Sequence, residues 1–337
     1  MRVGSRRFKK MVSTIALVLI LVMVLGMVAS SLTGCGGVSA SGDDVTIRVA
    51  ALKGPTTIGL VNLIDDAKNG TSDVKCEFEM YTQGSDIMAA MVAGNVDIGL
   101  VPSNVACVMD KKVEGGVSII DINTLSVLNC VTADESVKTV ENLAGKTIYA
   151  TGQGATPEYT IRYLLEKHDV KNCAVEFKSE PTEIVSILSE DPKAVAVLPQ
   201  PFVTAAMLQN ENLKIAFNLD EEWSKVNDSC KIVTGVTVVT NKFLSEHKGA
   251  VDAFIKAHKD SADKALENID KTAALTVEQG IIAKEPLAKK AIPNCAVVCI
   301  SGKEIKETLS GYLEVLFEQD PKSVGGQIPS DDFYYEG

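Results

Sequence analysis

Residues 85–104 read SDIMAAMVAGNVDIGLVPSN, and residues 182–201 read TEIVSILSEDPKAVAVLPQP. In the first, Ile87 and Met91 recur at helical spacing until Gly94 stops the helix. A short apolar run over 96–101 then predicts a strand, which ends in the polar loop Pro102-Ser103-Asn104. Displaced by 97 residues and without a gap, the second stretch places Ile184 on Ile87, Leu188 on Met91, Val195 on Ile98, Val197 on Leu100, Leu198 on Val101 and Pro199 on Pro102. The preceding segments match at 99, with Phe177 on Phe78 and Thr156 on Thr57. Two similar α/β lobes would produce this pattern. So would any two strand-helix-strand units, and the pattern alone leaves both readings open.

Working outward, 46–52 (TIRVAAL) predicts a strand, 53–57 a loop, and Leu60, Leu63, Ile64 and Ala67 a helix ended by Asn69-Gly70. A strand over 76–81 completes that unit. The second round has a strand over 146–150, a loop over 151–156, a helix opening at Pro157 and a strand over 174–178. Such alternation predicts an α/β protein whose parallel sheets are covered by helices. Beyond it lie a strand over 235–240, helical text to about 290, a short strand over 296–300, and an amphipathic helix with Ile305, Leu309, Tyr312, Leu313, Leu316 and Phe317 on one face. That tail is too short for a third α/β domain and is expected to pack back on the first lobe. The connections between lobes then fall at 123–133 and 231–240. The organisation expected is a first lobe from 45–128 and 236–337 and a second lobe from 129–235.

The amino terminus carries a different signal. Arg2, Arg6, Arg7, Lys9 and Lys10 precede an apolar run over 11–30, and Leu32-Thr33-Gly34-Cys35 follows it in the manner of a bacterial lipobox. Residues 1–34 are expected to be a lipoprotein signal peptide, Cys35 the lipidated mature terminus, and 35–44 a flexible linker. Two acyl chains on one cysteine give a lasting tether where one is marginal. An uncleaved anchor is the alternative, because the run approaches membrane-spanning length.

Composition narrows the function classes. The 337 residues hold 33 Lys and Arg against 44 Asp and Glu, a net charge of −11, and the five basic residues of the leader deepen it to −16 for the remainder. Nucleic acid is not an expected partner. Of eight cysteines, seven remain once Cys35 is assigned to lipid, so they cannot all pair internally. Free small hydrophobes and a disulfide at Cys295 or Cys299 both stay open. The chain has no GxSxG, HExxH or GxxxxGK[ST] motif, and Gly152-Gln153-Gly154 meets Pro157 where a dinucleotide fingerprint needs glycine. His168, His247 and His258 lie in polar text and are expected to be solvated; Cys295 and Cys299 form a lone CxxxC without a second half. No catalytic residue, metal or cofactor is expected, and the chain is read as a non-enzyme. Four polar loops remain, at 53–57, 102–104, 152–157 and 199–201, each at the carboxyl end of an expected strand, where open α/β sheets bind ligands.

The segments VAALKGPTT (49–57), AGNVDIGLVPSN (93–104), LAGKTIYATGQGATPEY (143–159) and VLPQPF (197–202) resemble the solute-binding proteins of bacterial ABC importers. The resemblance is to the family that serves nitrate, sulfonates, taurine and the pyrimidine precursor of thiamine. It implies a two-lobed type II periplasmic-binding-protein fold with two crossing strands at the hinge, closing on one small solute. It further implies permease and ATPase partners, attachment to the membrane through lipid, and a monomer. By position, Lys53, Thr56, Thr57, Ser103 and Asn104 would line the first lobe's rim, and Gln153, Thr156, Glu180 and Gln200 would answer from the second. The ligand loops carry no histidine or arginine, so no sulfonate or carboxylate clamp carries over. An exported or repurposed enzyme on the same fold is the alternative function.

Overall fold

The computed structural model describes residues 45–337, so the leader, the lipobox cysteine Cys35 and the linker to residue 44 lie outside the described residues. The strands in chain order are β1 (Ile47–Leu52), β2 (Cys76–Tyr81), β3 (Ile98–Pro102), β4 (Val117–Thr124), β5 (Leu128–Thr132) and β6 (Thr147–Ala150). They continue as β7 (Ala174–Phe177), β8 (Val195–Pro199), β9 (Lys214–Asn218), β10 (Gly235–Thr240) and β11 (Val297–Ser301). One sheet runs β11-β4-β10-β3-β1-β2 and the other β7-β6-β8-β5-β9. Setting β11 aside, the two orders are the same: the second, first and third strands of the lobe in parallel, then an antiparallel insertion, then the fourth strand.

The inserted strands are the crossings. Chain leaving β4 enters the second sheet as β5, and chain leaving the second sheet returns as β10, so each lobe completes its sheet with a strand running against its own parallel set. This is the type II two-lobed fold. The displacement of 97 residues maps β3 onto β8 and the Gly84–Val92 helix onto the Pro181–Glu190 helix, with Ile87, Met91, Ile184 and Leu188 all buried. β5 starts at Leu128 and β10 at Gly235.

β4, β5 and β9 have no counterpart in the sequence analysis. β4 (VSIIDINT) is buried along its whole length and β5 (LNCVT) likewise, so neither shows the alternation by which a half-exposed strand is recognised. Helices cover both faces of the first sheet. The Lys248–Glu267 helix lies over β11, and the Glu304–Gln319 helix packs on β4 and β11 through Ile305, Leu309 and Leu313. Phe317, expected on that buried face, is only half-buried.

The carboxyl-terminal helix also reaches the second lobe. Tyr312 lies 3.0 Å from the Thr160 hydroxyl and 5.4 Å, edge-on, from the ring of Trp223. Trp223 is fully buried, stacks at 4.4 Å on Tyr163 and donates its indole N–H to the carbonyl of Cys230. Burial pushes the Tyr312 phenol pKa up, so it is a neutral hydroxyl at physiological pH. No described helix is long and apolar enough to cross a membrane. The seven described cysteines are all unpaired. Desolvation raises the Cys76 and Cys295 thiols to about 12, which makes them packing groups with little thiolate character.

Candidate functional site

The loops that follow β3 in the first lobe and β6 in the second both open helices. Ser103 is the first residue of the Ser103–Lys112 helix, and Thr156 is the first of the Thr156–Lys167 helix. Their hydroxyls lie 3.4 Å apart across the lobe boundary, and both residues are fully buried. The helix's cap residue, Ala155, has no polar side chain to close its first turn, and the Thr156 hydroxyl lies between that of Ser103 and the Tyr312 phenol. Ser103 is fixed by its amide donating to Thr234 and its hydroxyl donating to the carbonyl of Val233, both on the segment leading into β10.

Asn104 is the second cross-lobe link. Its Nδ2 donates to the carbonyl of Gly154 at 3.0 Å and to that of Ser323 at 3.2 Å, which assigns the amide orientation. Its Oδ1 is then a buried acceptor without a partner. An unpaired acceptor held this way costs about 1–3 kcal/mol until a donor meets it. The other half of the contact is equally fixed: Gly154 donates its amide to Glu158 Oε2 at 2.7 Å, and Glu158 pairs with Arg162 at 2.7 Å. The loop turns at Gly152 with φ +79°, where a Cβ would stand 2.8 Å from Pro157.

Two further orphaned hydroxyls, Ser126 and Thr234, sit in the two crossing connections. Neither is singled out by sequence, since a lone serine or threonine in a connection reads as turn chemistry. Thr56 and Thr57 both donate to the carbonyl of Leu52, at 3.1 and 2.7 Å. Thr56 also closes on the start of β10: a Cβ on Gly235 would lie 2.5 Å from Thr56 Cγ2 and 2.5 Å from Asn123 Oδ1. Glycine at 235 is what lets the first loop approach the hinge strand.

Of the nine candidate ligand residues, Ser103 and Thr156 therefore meet directly and Asn104 reaches the loop before Thr156 at Gly154, while Thr56 and Thr57 are buried, Thr56 against the start of β10. Lys53, Gln153 and Glu180 are exposed. Glu180 precedes the Pro181–Glu190 helix and its amide donates to Glu183, a capping role. Gln200 is buried, but its Oε1 accepts from the amide and hydroxyl of Thr204, so it caps its own lobe's Phe202–Gln209 helix. Among the described residues the two arginines are engaged by acids: Arg48 is tied to Asp97 and the Gly94 carbonyl, and Arg162 to Glu158, the acceptor of the Gly154 amide.

The expectation of solvated histidines fails at His258. It is fully buried in the first lobe, with Nδ1 2.9 Å from Asp121 Oδ2, because the Lys248–Glu267 helix lays it against β4. His168 pairs with Glu141 at 2.6 Å.

A family model described as NMT1/THI5 like matches residues 71–272. Among solved structures, an ABC transporter protein from Parabacteroides distasonis aligns with TM-score 0.73 at 22% identity, covering 87% of this chain and 99% of the other. The periplasmic aliphatic sulphonate binding protein of Escherichia coli gives 0.66 at 13%, covering 87% and 94%. The periplasmic nitrate-binding protein of Synechocystis PCC 6803 gives 0.60 at 10%, covering 87% and 85%. At these identities the structural likeness is one of fold. No curated protein matches the sequence.

Proposed function

This chain belongs to the NMT1/THI5-like family, and we propose that it is an extracytoplasmic solute-binding lipoprotein that captures a small organic solute between its lobes and delivers it to an ABC importer. The lobes are those expected from sequence, 45–128 with 236–337 and 129–235; the partners are the importer's permease and ATPase, and the protein acts as a monomer. Cys35 carries the lipid. Fatty-acid labelling that is equal in wild type and Cys35→Ala would exclude that anchor.

The observation that carries the reading is the meeting of two helix starts at Ser103 and Thr156 beside the unpaired Oδ1 of Asn104. Two positive helix ends facing one point favour an anionic or electron-rich group there. Asn104 Oδ1 asks for the opposite, a donor. A solute that satisfies both carries an acceptor end and an N–H end, as an aminosulfonate or an aminopyrimidine does and nitrate does not. Without an arginine at these loops, charge pairing is not the main source of affinity, and enclosure with paired polar groups must supply it. Among the described residues, the hydrogen bonds of the Ser103 hydroxyl go to Thr156 and the Val233 carbonyl.

A thermal-shift screen tests this with taurine and aminopyrimidines against nitrate and simple alkanesulfonates, followed by calorimetry. The expected result is tight binding of a donor-bearing solute, weakened by Asn104→Ala and by Thr156→Ala. Equal binding of nitrate, or a tight solute indifferent to both substitutions, would place the site elsewhere.

A further inference from the structure

We propose that Asp121, His258 and Cys299 form a binding site for a thiophilic divalent cation of the zinc type, inside the first lobe and separate from the solute loops. Three elements converge to build it: Asp121 from the middle of β4, Cys299 from β11 beside it, and His258 from the helix laid over both. One ligand atom from each lies within 4.8 Å of the other two. Asp121 and His258 are fully buried, and Cys299 is half-buried.

The details fit a metal better than a plain structural pair. Asp121 Oδ2 and His258 Nδ1 are 2.9 Å apart, and two tetrahedral ligands about 2.0 Å from zinc stand roughly 3.3 Å apart, so a shift of a few tenths of an ångström admits the ion. The other carboxylate oxygen is held by the Thr237 hydroxyl at 2.7 Å, and Thr237 accepts in turn from Asn123 Nδ2 at 3.1 Å, which is the outer support a ligating carboxylate needs. His258 Nε2 is buried without a partner, so a metal taken by Nδ1 would displace no hydrogen bond of the ring other than the one to Asp121. The β11 to β4 pairing also shifts register between Val297 and Ile300, the interval that contains Cys299. Register shifts of this kind re-aim side chains and recur near sites. β11 is the edge of its sheet, which gives an ion a path to the half-buried thiol without opening the core. Sulfur, nitrogen and one oxygen together select zinc-like ions over magnesium or calcium, which take oxygen shells.

Cobalt(II) is the probe, because a cysteine ligand gives it a thiolate charge-transfer band and a tetrahedral shell gives strong visible absorption. The full chain, reduced and freed of metal with a chelator, is expected to bind one equivalent with both signatures. Cys299→Ser is expected to abolish the charge-transfer band and to weaken binding by more than the roughly 10–100-fold typical of an outer-shell change. Cys295→Ser, four residues away and bonded to the carbonyl of Ala291, is expected to leave the spectrum unchanged. X-ray absorption on the zinc-loaded wild type gives a readout independent of any variant's folding: one sulfur with nitrogen and oxygen neighbours is expected. A wild type without the charge-transfer band, a band that survives Cys299→Ser, or a zinc shell with no sulfur would each overturn the proposal.

Discussion

The two lobes share one strand order and one loop placement, yet the loops that follow β3 and β8 do different work. Pro102-Ser103-Asn104 reaches across to Thr156 and Gly154, while Pro199-Gln200-Pro201 turns inward and ties Gln200 to Thr204 of its own helix. The backbone repeat fixes where a loop begins. Each loop's amide donates to the connection ahead of its crossing strand, Ser103 to Thr234 and Gln200 to Val127, so what a side chain does is set by the partner that tertiary packing brings up, here the carboxyl-terminal segment at Ser323 beside the first loop.

The largest expected effect probes the link that the repeat does not contain. Trp223→Ala removes a fully buried ring wedged between Tyr163 and Tyr312, and so touches both lobes at once. A loss of about 3–5 kcal/mol is expected, read by denaturant unfolding. A loss below about 1 kcal/mol would show that the carboxyl-terminal helix rests on the second lobe without holding it.

The matched loops give a sharper and smaller contrast. Asn104→Ala is expected to weaken solute binding by about 1–3 kcal/mol, because a buried partner is left unpaired. Gln200→Ala, in the matching loop, where Gln200 falls on Ser103, is expected to act on stability instead, by about 0.5–2 kcal/mol as a lost helix cap, with affinity nearly unchanged. Calorimetry and thermal unfolding on the same two variants separate these outcomes; equal loss of affinity in both would restore the symmetry of the repeat.

The smallest effect lies on the second lobe's surface. The Thr139 hydroxyl and then His168 hold the Glu141 carboxyl near 2, below its ordinary 4.5. A depressed carboxylate stabilises the fold above its unfolded pKa and loses that contribution as pH falls through the folded one. The difference in Tm between wild type and Glu141→Gln is therefore expected at neutral pH, shrinking between about 4.5 and about 2. Because Glu141 is mostly exposed, solvent screening keeps the effect small. A difference that persists at the acid end would assign it to packing.

Much of the architecture was legible in the sequence because the legible parts follow local rules. Helical spacing at Ile87 and Met91, the glycine stop at Gly94 and the proline at each loop are written within a few residues of the structure they specify. β4 and β5 escaped because burial on both faces erases periodicity. Among the candidate ligand residues, Ser103, Asn104 and Thr156 could be named from their place at strand ends. Lys53, Gln153 and Glu180 had the same credentials and stayed exposed, since position in a loop does not say which way a side chain turns.

Sequence by itself therefore determined the recurring strand-helix-strand units and the loops from which a site could be made. These are set by short-range periodicity and turn chemistry. Tertiary structure alone decided that Asn104 would lose its donors to Gly154 and Ser323 and keep a bare acceptor, and that His258 would leave polar text for the core beside Asp121. The physical reason is separation along the chain. A hydrogen bond spanning 50, 137 or 219 residues depends on how whole sheets and helices pack, and no local pattern records it.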